Sequence, residues 1–447
     1  LLFKFIRYTQ PSWQLNILPQ TNTSFASCYI KQEDVSEGLI DARFETLSAR
    51  LADAGYNLCI RGKFLRSTVL DVKQQNTLPP PTLKDEYTFI RKYWGTPWAT
   101  FALLVRLFTF KNPLKEAAAY FGTSKVKRIN AHQQPYIDDS YSSFQSPLIA
   151  AAPLVAVIIP TLNRYVYLKD VLLDLEKQTY KNFEVIIFDQ SDNFNEEFYN
   201  QFSVPIKLHH QKEKLLWTAR NNAVRATTAE YLLFFDDDSR VDQNWIAEHI
   251  KCIDFYKADI SAGVSLTAAG QKNPASYSYF RWGDQFDSGN AMVKRALFKQ
   301  IGLFDEKFNG QRMGDGEFGY RAYLNGFTSI SNPSASRVHL KVGSGGLREM
   351  GSWDGFRPKK WFAPKPIPSV NYLLKKYLPT PLYRNAILIG IMLSNVPYKY
   401  KRSNKMLAAS ILLTVLKSPL LLIQFNRSRR IAKKMLNSGR EPELLSQ

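Results

Sequence analysis

Residues 230–241 read EYLLFFDDDSRV, an apolar run that ends in three consecutive aspartates. In an extended segment alternate side chains share a side, so Asp236 and Asp238 point together while Asp237 points away. Two carboxylates that close raise each other's pKa unless a cation compensates. A hard divalent ion such as Mg²⁺ or Mn²⁺ suits oxygen ligands and commonly bridges to phosphates. The trio therefore reads as a metal–diphosphate site. The alternative is a solvated turn, with Asp238 and Ser239 capping a following helix in QNWIAEHIKCI.

The flanking sequence has the texture of an α/β domain. LVAVIIP predicts a buried strand, followed by a helix around YLKDVLLDLEKQ. FEVIIFD predicts a second strand that ends at Asp189. TARNNAVRAT reads as a helix, and EYLLFF as a third strand that ends at Asp236. Parallel strands joined by crossover helices gather ligand-binding loops at their carboxyl ends. Asn163, Asp189 and Asp236 all fall there.

A chain of 447 residues implies two or three domains, and 45% apolar residues supply ample core. Cys28, Cys59 and Cys252 are widely spaced and odd in number, which points to a reducing compartment without a disulfide framework. The net charge of +20 predicts attraction to a polyanion: nucleic acid, an anionic membrane face or phosphorylated substrates. The chain starts at Leu1 rather than Met, as a fragment or processed product would, and LLFKFI is too short for a signal peptide. The expected organisation is an N-terminal region 1–130, a polar linker 131–152, an α/β domain 153–345 and a basic helical region 346–447. Within the last, MLAASILLTVLKSPLLLIQF has about the length of a membrane span but is interrupted by Lys417 and Pro419. A surface-lying amphipathic helix with a basic flank fits it better, with a core helix as the alternative.

Five segments in order resemble glycosyltransferase family 2, enzymes of the GT-A fold: VAVIIPTLNR, FEVIIFDQSD, ARNNAVRATTAEYLLFFDDDS, DSGNAMVKRALFKQIGLFDEKF and GDGEFGYRAYLNGF. The resemblance spans about residues 153–345. It implies a nucleotide-sugar donor, a Mn²⁺ or Mg²⁺ cofactor and an inverting single displacement. Pro160, Thr161 and Asn163 would line the nucleoside pocket, and Asp189 would accept a hydrogen bond from base or ribose. Asp236 and Asp238 would hold ribose and metal, with His339 as a further ligand. Asp315 would be the general base. Many members have Glu-Asp where this chain has Gly314-Asp315, so Glu317 is the alternative base. Lys341 and Arg348, around GSGG, would bind diphosphate oxygens or remain solvated loop residues.

An internal echo lies further upstream. IKQEDVSEGLIDARF (30–44) resembles VKRALFKQIGLFDEKF (293–308), and SARLADAGYN resembles GYRAYLNGFT, which pairs Arg50 with Arg321 and Gly55 with Gly326. YTFIRKYWGTPW and VNYLLKKYLPTPL follow in the same order. Residues 1–130 are thus expected to resemble the second half of a degenerate GT-A unit with its helical tail, either a degenerate domain or the remnant of a truncated tandem enzyme. In that pairing NGQRMGDGE has no counterpart, so nothing replaces Asp315. The expected acceptor is a glycan or lipid-linked glycan, met at the cytoplasmic face of an anionic membrane. Nucleic acid is not an expected partner, since no recognition motif for it is present. The competing readings are a basic polyanion-binding protein and an inactive transferase-like scaffold.

Overall fold

The computed structural model describes residues 25–34, 38–75, 77–266, 273–283, 286–340, 342, 345–347, 355–358, 360–396, 404–439 and 441–446. Contacts divide the chain into two compact units, residues 1–137 with 378–413 and residues 138–377 with 414–447.

In the first unit a short antiparallel pair, β1 (Phe25–Ala26) and β2 (Arg66–Ser67), accompanies a set of helices. Leu47–Ile60 starts at Thr46, whose hydroxyl accepts the Ala49 N–H. Leu83–Trp94 starts with a capping box between Thr82 and Asp85. Two further helices follow, Thr96–Phe108 and Pro113–Gly122, each with proline in its first turn. From the C-terminal part, helix Thr380–Ser394 joins this unit, with Ile389, Met392 and Leu393 against Trp98 and Phe101. The pairing of Gly55 with Gly326 fails locally. Gly55 is inside Leu47–Ile60, whereas Gly326 follows its helix at φ 85°. Gly55 is buried at a close approach, where a Cβ would strike the Cys28 carbonyl, so packing rather than a turn demands glycine.

The second unit is built on a nine-stranded sheet. Its strands are β3 (Val155–Thr161), β4 (Phe183–Asp189), β5 (Ile206–His210), β6 (Tyr231–Phe235), β7 (Ser239–Val241), β8 (Ile260–Leu266), β9 (Arg281–Trp282), β10 (Asn290–Lys294) and β11 (Ser329–His339). They run in the order β5-β4-β3-β6-β10-β8-β11-β7, with β9 on β11. β5, β4, β3 and β6 are parallel, and β10 lies antiparallel between β6 and β8. β3 and β4 are buried throughout, as continuous apolar strands covered on both faces must be. One face packs Ala156, Ile158, Leu232 and Phe234 on helices Leu216–Arg225 and Gly314–Leu324. The other packs Val155, Val157, Ile159 and Phe235 on Tyr165–Glu176 and Trp245–Tyr256.

The register positions the site. Thr161 lies beside Asp189, and Ile158 beside Phe234, so β3, β4 and β6 end on one edge. The connections from β3 leave to opposite sides, β4 on one and β6 on the other, which opens the crevice typical of a topological switch point. β7 separates the aspartates from the next helix, whose N-cap is Asn244, so Asp238 and Ser239 do not cap it. The long apolar C-terminal stretch is broken at Lys417 into Asn404–Leu416 and Ser418–Asn437. Among the described residues no single helix is long and apolar enough to cross a membrane, and only the broken pair meets length and composition together.

Candidate active site

Each aspartate of the trio has a different environment. Asp236 follows β6 and is partly exposed. Its Oδ1 accepts Arg220 Nη2 at 3.2 Å and its Oδ2 accepts Arg337 Nη1 at 2.7 Å. Burial alone would raise its pKa, yet the two guanidiniums hold it well below the ordinary carboxylate value. Asp237 turns inward, as alternation predicts, but into protein rather than solvent. It accepts Arg164 Nη1 at 2.8 Å and the Thr161 hydroxyl at 2.9 Å. Burial lifts its pKa to about 6 against the pull of Arg164.

Asp238 is buried, with Oδ1 at 3.2 Å from His339 Nε2 and Oδ2 at 3.2 Å from Arg164 Nη1. The Oδ2 contact lacks hydrogen-bond alignment, so this buried oxygen has no hydrogen-bond partner. Burial acts to raise its pKa, but His339 and Arg164 bring it below the ordinary value. His339 is placed by β11, which pairs antiparallel with β7 and puts His339 beside Ser239. One ligand atom each from Asp236, Asp238 and His339 lies within 4.8 Å of the others. Two carboxylates and an imidazole suit a divalent cation, and the orphaned Asp238 oxygen is the acceptor such an ion would use. Asp236, with both oxygens on arginines, is the less available ligand of the pair.

The nucleotide side gathers around β3. Pro160 and Thr161 are buried at its end. Asn163 follows at φ 55°, an exposed left-handed position. It exchanges hydrogen bonds with Asp192: its Nδ2 donates to Oδ2 at 2.9 Å, and its Oδ1 accepts the Asp192 N–H at 3.0 Å. Asp189 is fully buried. One of its oxygens accepts the Tyr165 and Tyr199 hydroxyls at 2.6 and 2.8 Å, and the other the Ser191 N–H at 2.9 Å. Its carboxylate therefore pins the loop beyond β4. Gly345 and Gly346, both left-handed, lie against Leu162–Arg164, and the Gly346 N–H donates to the Leu162 carbonyl at 2.8 Å. A Cβ on Gly346 would strike the Arg164 guanidinium. Lys341 and Arg348 lie outside the described residues.

Asp315 stands in the first turn of helix Gly314–Leu324, whose N-cap is Met313. It is half-buried, and its Oδ1 accepts the Gly316 N–H at 2.9 Å. Burial and then the neighbouring Asp287 raise its pKa, against the Gly316 N–H, Arg220 and Arg312. Glu317 is not brought to this place. It is fully buried, paired with Arg321 at 2.8 Å and Lys376 at 3.4 Å, and it accepts the Tyr377 hydroxyl. That carboxylate holds two helices together.

Four side chains of the site were not singled out by sequence. Arg164 bridges Asp237 and Asp238. Arg220 is wholly buried, with Nη2 on the Ser288 carbonyl at 2.8 Å as well as on Asp236. Arg337 joins Asp236 to Asp287 and to the Ser239 hydroxyl. Trp217 lies under Arg220, whose Cζ is 5.0 Å from the ring centroid. Gly289 is a required glycine, because a Cβ there would run into the Asp236 carboxylate and the Arg337 guanidinium. The visible signal was an arginine in each flanking motif, ARNN and SRVH, beside a cluster of acids.

The sequence profile of the family described as Glycosyl transferase family 2 matches residues 156–319. A PGL/p-HBAD biosynthesis glycosyltransferase of Mycobacterium bovis is 25% identical over 224 residues, 45% of this chain and 79% of that protein. Glycosyltransferase GlyG of Streptococcus pneumoniae is 26% identical over 161 residues, covering 35% of this chain and 52% of its own. Among solved structures, S. aureus TarS 1–349 with UDP-GlcNAc is 17% identical at a TM-score of 0.44, covering 64% of this chain and 83% of its own. GalNAc-T7 with UDP, GalNAc and Mn²⁺ is 14% identical at 0.44, covering 60% and 58%. Residues 156–319 thus carry a glycosyltransferase family 2-like domain, and its sheet has the GT-A fold.

Proposed function

We propose that this protein transfers a sugar from a nucleoside-diphosphate donor to a hydroxyl of a glycan or lipid-linked glycan, with inversion at the anomeric carbon. The observation that carries the reading is the convergence of Asp236, Asp238 and His339 beyond β6 and β11, beside the loop that follows β3. Thr161, Asn163 and the loop pinned by Asp189 bind the nucleoside. Asp238 and His339, with Asp236, would hold Mn²⁺ or Mg²⁺, which supplies charge neutralisation for the departing diphosphate. Arg164 and Arg220 fix the carboxylates, so little reorganisation accompanies the reaction.

Asp315 takes the proton from the acceptor hydroxyl. The oxygen then bonds to the anomeric carbon as the carbon–oxygen bond to the diphosphate breaks, and the electron pair leaves with the diphosphate. An elevated pKa gives Asp315 the basicity this step needs.

We also place the protein peripherally at the cytoplasmic face of a membrane. In the first unit Phe108, Phe110 and Leu114 are exposed beside Lys111 and Lys115. In the second, Leu422 and Ile423 are exposed on the helix that carries Arg427, Arg429 and Arg430. Apolar side chains beside cations match an anionic lipid surface. Cys28, Cys59 and Cys252 are buried thiols, which agrees with a reducing compartment.

A thermal-shift screen of UDP-, dTDP- and GDP-sugars, with and without Mn²⁺ or Mg²⁺, tests the donor assignment. The reading expects one nucleotide class to raise the melting temperature only with metal. A panel without any shift contradicts it.

A further inference from the structure

Asp236 follows β6 and His339 ends β11, yet β10 and β8 lie between those two strands in the sheet. Their ligand atoms nonetheless come within 4.8 Å of one another. What brings the end of β11 to the aspartates is a break in its register. Asn332 lies beside Gly263 and Arg337 beside Ser265, so β11 bulges between them. Only beyond the bulge does it pair with β7, with Arg337 beside Val241 and His339 beside Ser239. Such bulges re-aim the side chains that follow them.

One buried amide reaches the bulge from the aspartate side. Asn290 opens β10 beside Phe235, the residue before Asp236. Its side chain crosses β8: Nδ2 donates to the Val264 carbonyl at 3.3 Å and to the Ala335 carbonyl, inside the bulge, at 2.9 Å. Gly263 is where it crosses. A Cβ there would run into both the Asn290 amide and the Ala335 carbonyl, so the close approach demands glycine.

The other end of the amide is fixed from helix Trp245–Tyr256. Asn290 Oδ1 accepts Trp245 Nε1 at 2.8 Å and stands 3.1 Å from His249 Nε2. Because Nδ2 faces two carbonyls, Oδ1 is the acceptor and the His249 proton belongs on Nε2. The bare Nδ1 then accepts the Ser261 hydroxyl at 2.9 Å, and the Ser261 oxygen accepts Asn332 Nδ2 at 3.1 Å. Asn332 closes the circuit: Nδ2 also donates to the Glu248 carbonyl at 3.0 Å, and Oδ1 accepts the N–H groups of Ser334 and Ala335 at 2.9 and 3.2 Å. Asn290, His249, Ser261 and Asn332 are all fully buried. Burial also keeps the imidazole neutral, with its pKa pushed down to about 4. A buried polar network paired in this way specifies one arrangement of the chain around it.

Resting on the metal site proposed above for its consequence, we infer that Asn290 is a positioning residue: its amide, oriented by Trp245 and His249, ties β10 to the β11 bulge and so sets Arg337 and His339 against Asp236 and Asp238. It acts through the backbone of β11. Arg337 meets Asp236 at 2.7 Å and His339 meets Asp238 at 3.2 Å, and both contacts need the strand to leave the bulge in one direction.

Hydrogen exchange on the metal-free full chain, with β3 as internal reference, tests this independently of sugar transfer. Asn290→Ala should speed exchange across residues 334–340 about tenfold relative to β3, and Ser261→Ala, a smaller deletion, should do so to a lesser degree. Mn²⁺ affinity, read by electron paramagnetic resonance with UDP, dTDP or GDP present, should fall about tenfold in Asn290→Ala. It should stay native in Leu175→Ala, which removes core packing at the far end of helix Tyr165–Glu176. Nitrogen resonances of His249 in the native chain should report the Nε2–H tautomer. The inference is overturned by an unchanged exchange ratio in the variants, by native Mn²⁺ affinity in Asn290→Ala, by an equal loss of affinity in Leu175→Ala, or by an Nδ1–H tautomer. A native chain that binds no Mn²⁺ with any of these diphosphates removes the metal reading instead, and the exchange ratio still decides the role of Asn290.

Discussion

Asp315 combines what a general base requires: access, an oxygen left free by the Gly316 N–H, and a raised pKa caused chiefly by burial and then by Asp287. Asp315→Asn should reduce turnover by about 10²–10⁴-fold, with the nucleotide dissociation constant from calorimetry unchanged. The rate in the native protein should rise with pH through a value above the ordinary 3.8, because only the deprotonated carboxylate accepts the acceptor's proton. An acid limb that persists in Asp315→Asn would assign the titration elsewhere. The residue before it has its own logic. A Cβ on Gly314 would run into the Trp217 indole, whose buried Nε1 lacks a hydrogen-bond partner. The indole thus occupies the space that the more common glutamate would need. Gly314→Glu alone should cost about 1–3 kcal/mol or more through overpacking, and Trp217→Gly in the same chain should recover part of that loss in denaturant titrations. A double variant no more stable than Gly314→Glu would refute the exchange.

Helix Gly314–Leu324 is held from below by Glu317. Removing that carboxylate leaves the buried Arg321 guanidinium without its acid, while Lys376 keeps Glu441, so Glu317→Ala should lower stability by about 3–5 kcal/mol, read from denaturant midpoints. Although burial acts to raise its pKa, Arg321 and Lys376 depress it. Its contribution is therefore complete above the unfolded carboxylate value and is lost as pH falls towards the depressed one. At this scale the sequence was legible where periodicity is strong: β3, β4 and β6 fall where uninterrupted apolar runs predict them. It was less legible where a partner decides. Alternation separated Asp237 from Asp236 and Asp238, but nothing local announces its partner Arg164, which reaches it from beyond β3. Glu317 looked eligible as a base because its captors, Lys376 and Tyr377, are far along the chain. Gly55 was paired with Gly326 by sequence, and only the carbonyl of Cys28 explains a glycine inside the helix.

Across the whole molecule, the net charge of +20 and the exposed apolar side chains of each unit support the membrane proposal. Vesicles with anionic lipid should bind the protein, and neutral vesicles should bind it less, with affinity falling as salt screens the contact. Phe110→Ala should weaken binding by about 1.5–3 kcal/mol if its ring enters the apolar layer, whereas binding unaffected by salt or by this change would remove that surface. The carboxylate–histidine cluster could be named from motifs, while the arginines that make it electrostatically tolerable required the fold.

The central claim is that Asp238 and His339, with Asp236, hold a divalent cation for a nucleoside diphosphate. Electron paramagnetic resonance of free Mn²⁺, titrated against the full chain with UDP, dTDP or GDP present, measures this directly. The account predicts that one diphosphate brings about saturable loss of the free-ion signal, and that Asp238→Ala abolishes it. A signal unchanged by the native protein with every nucleotide, or lost equally with Asp238→Ala, contradicts it.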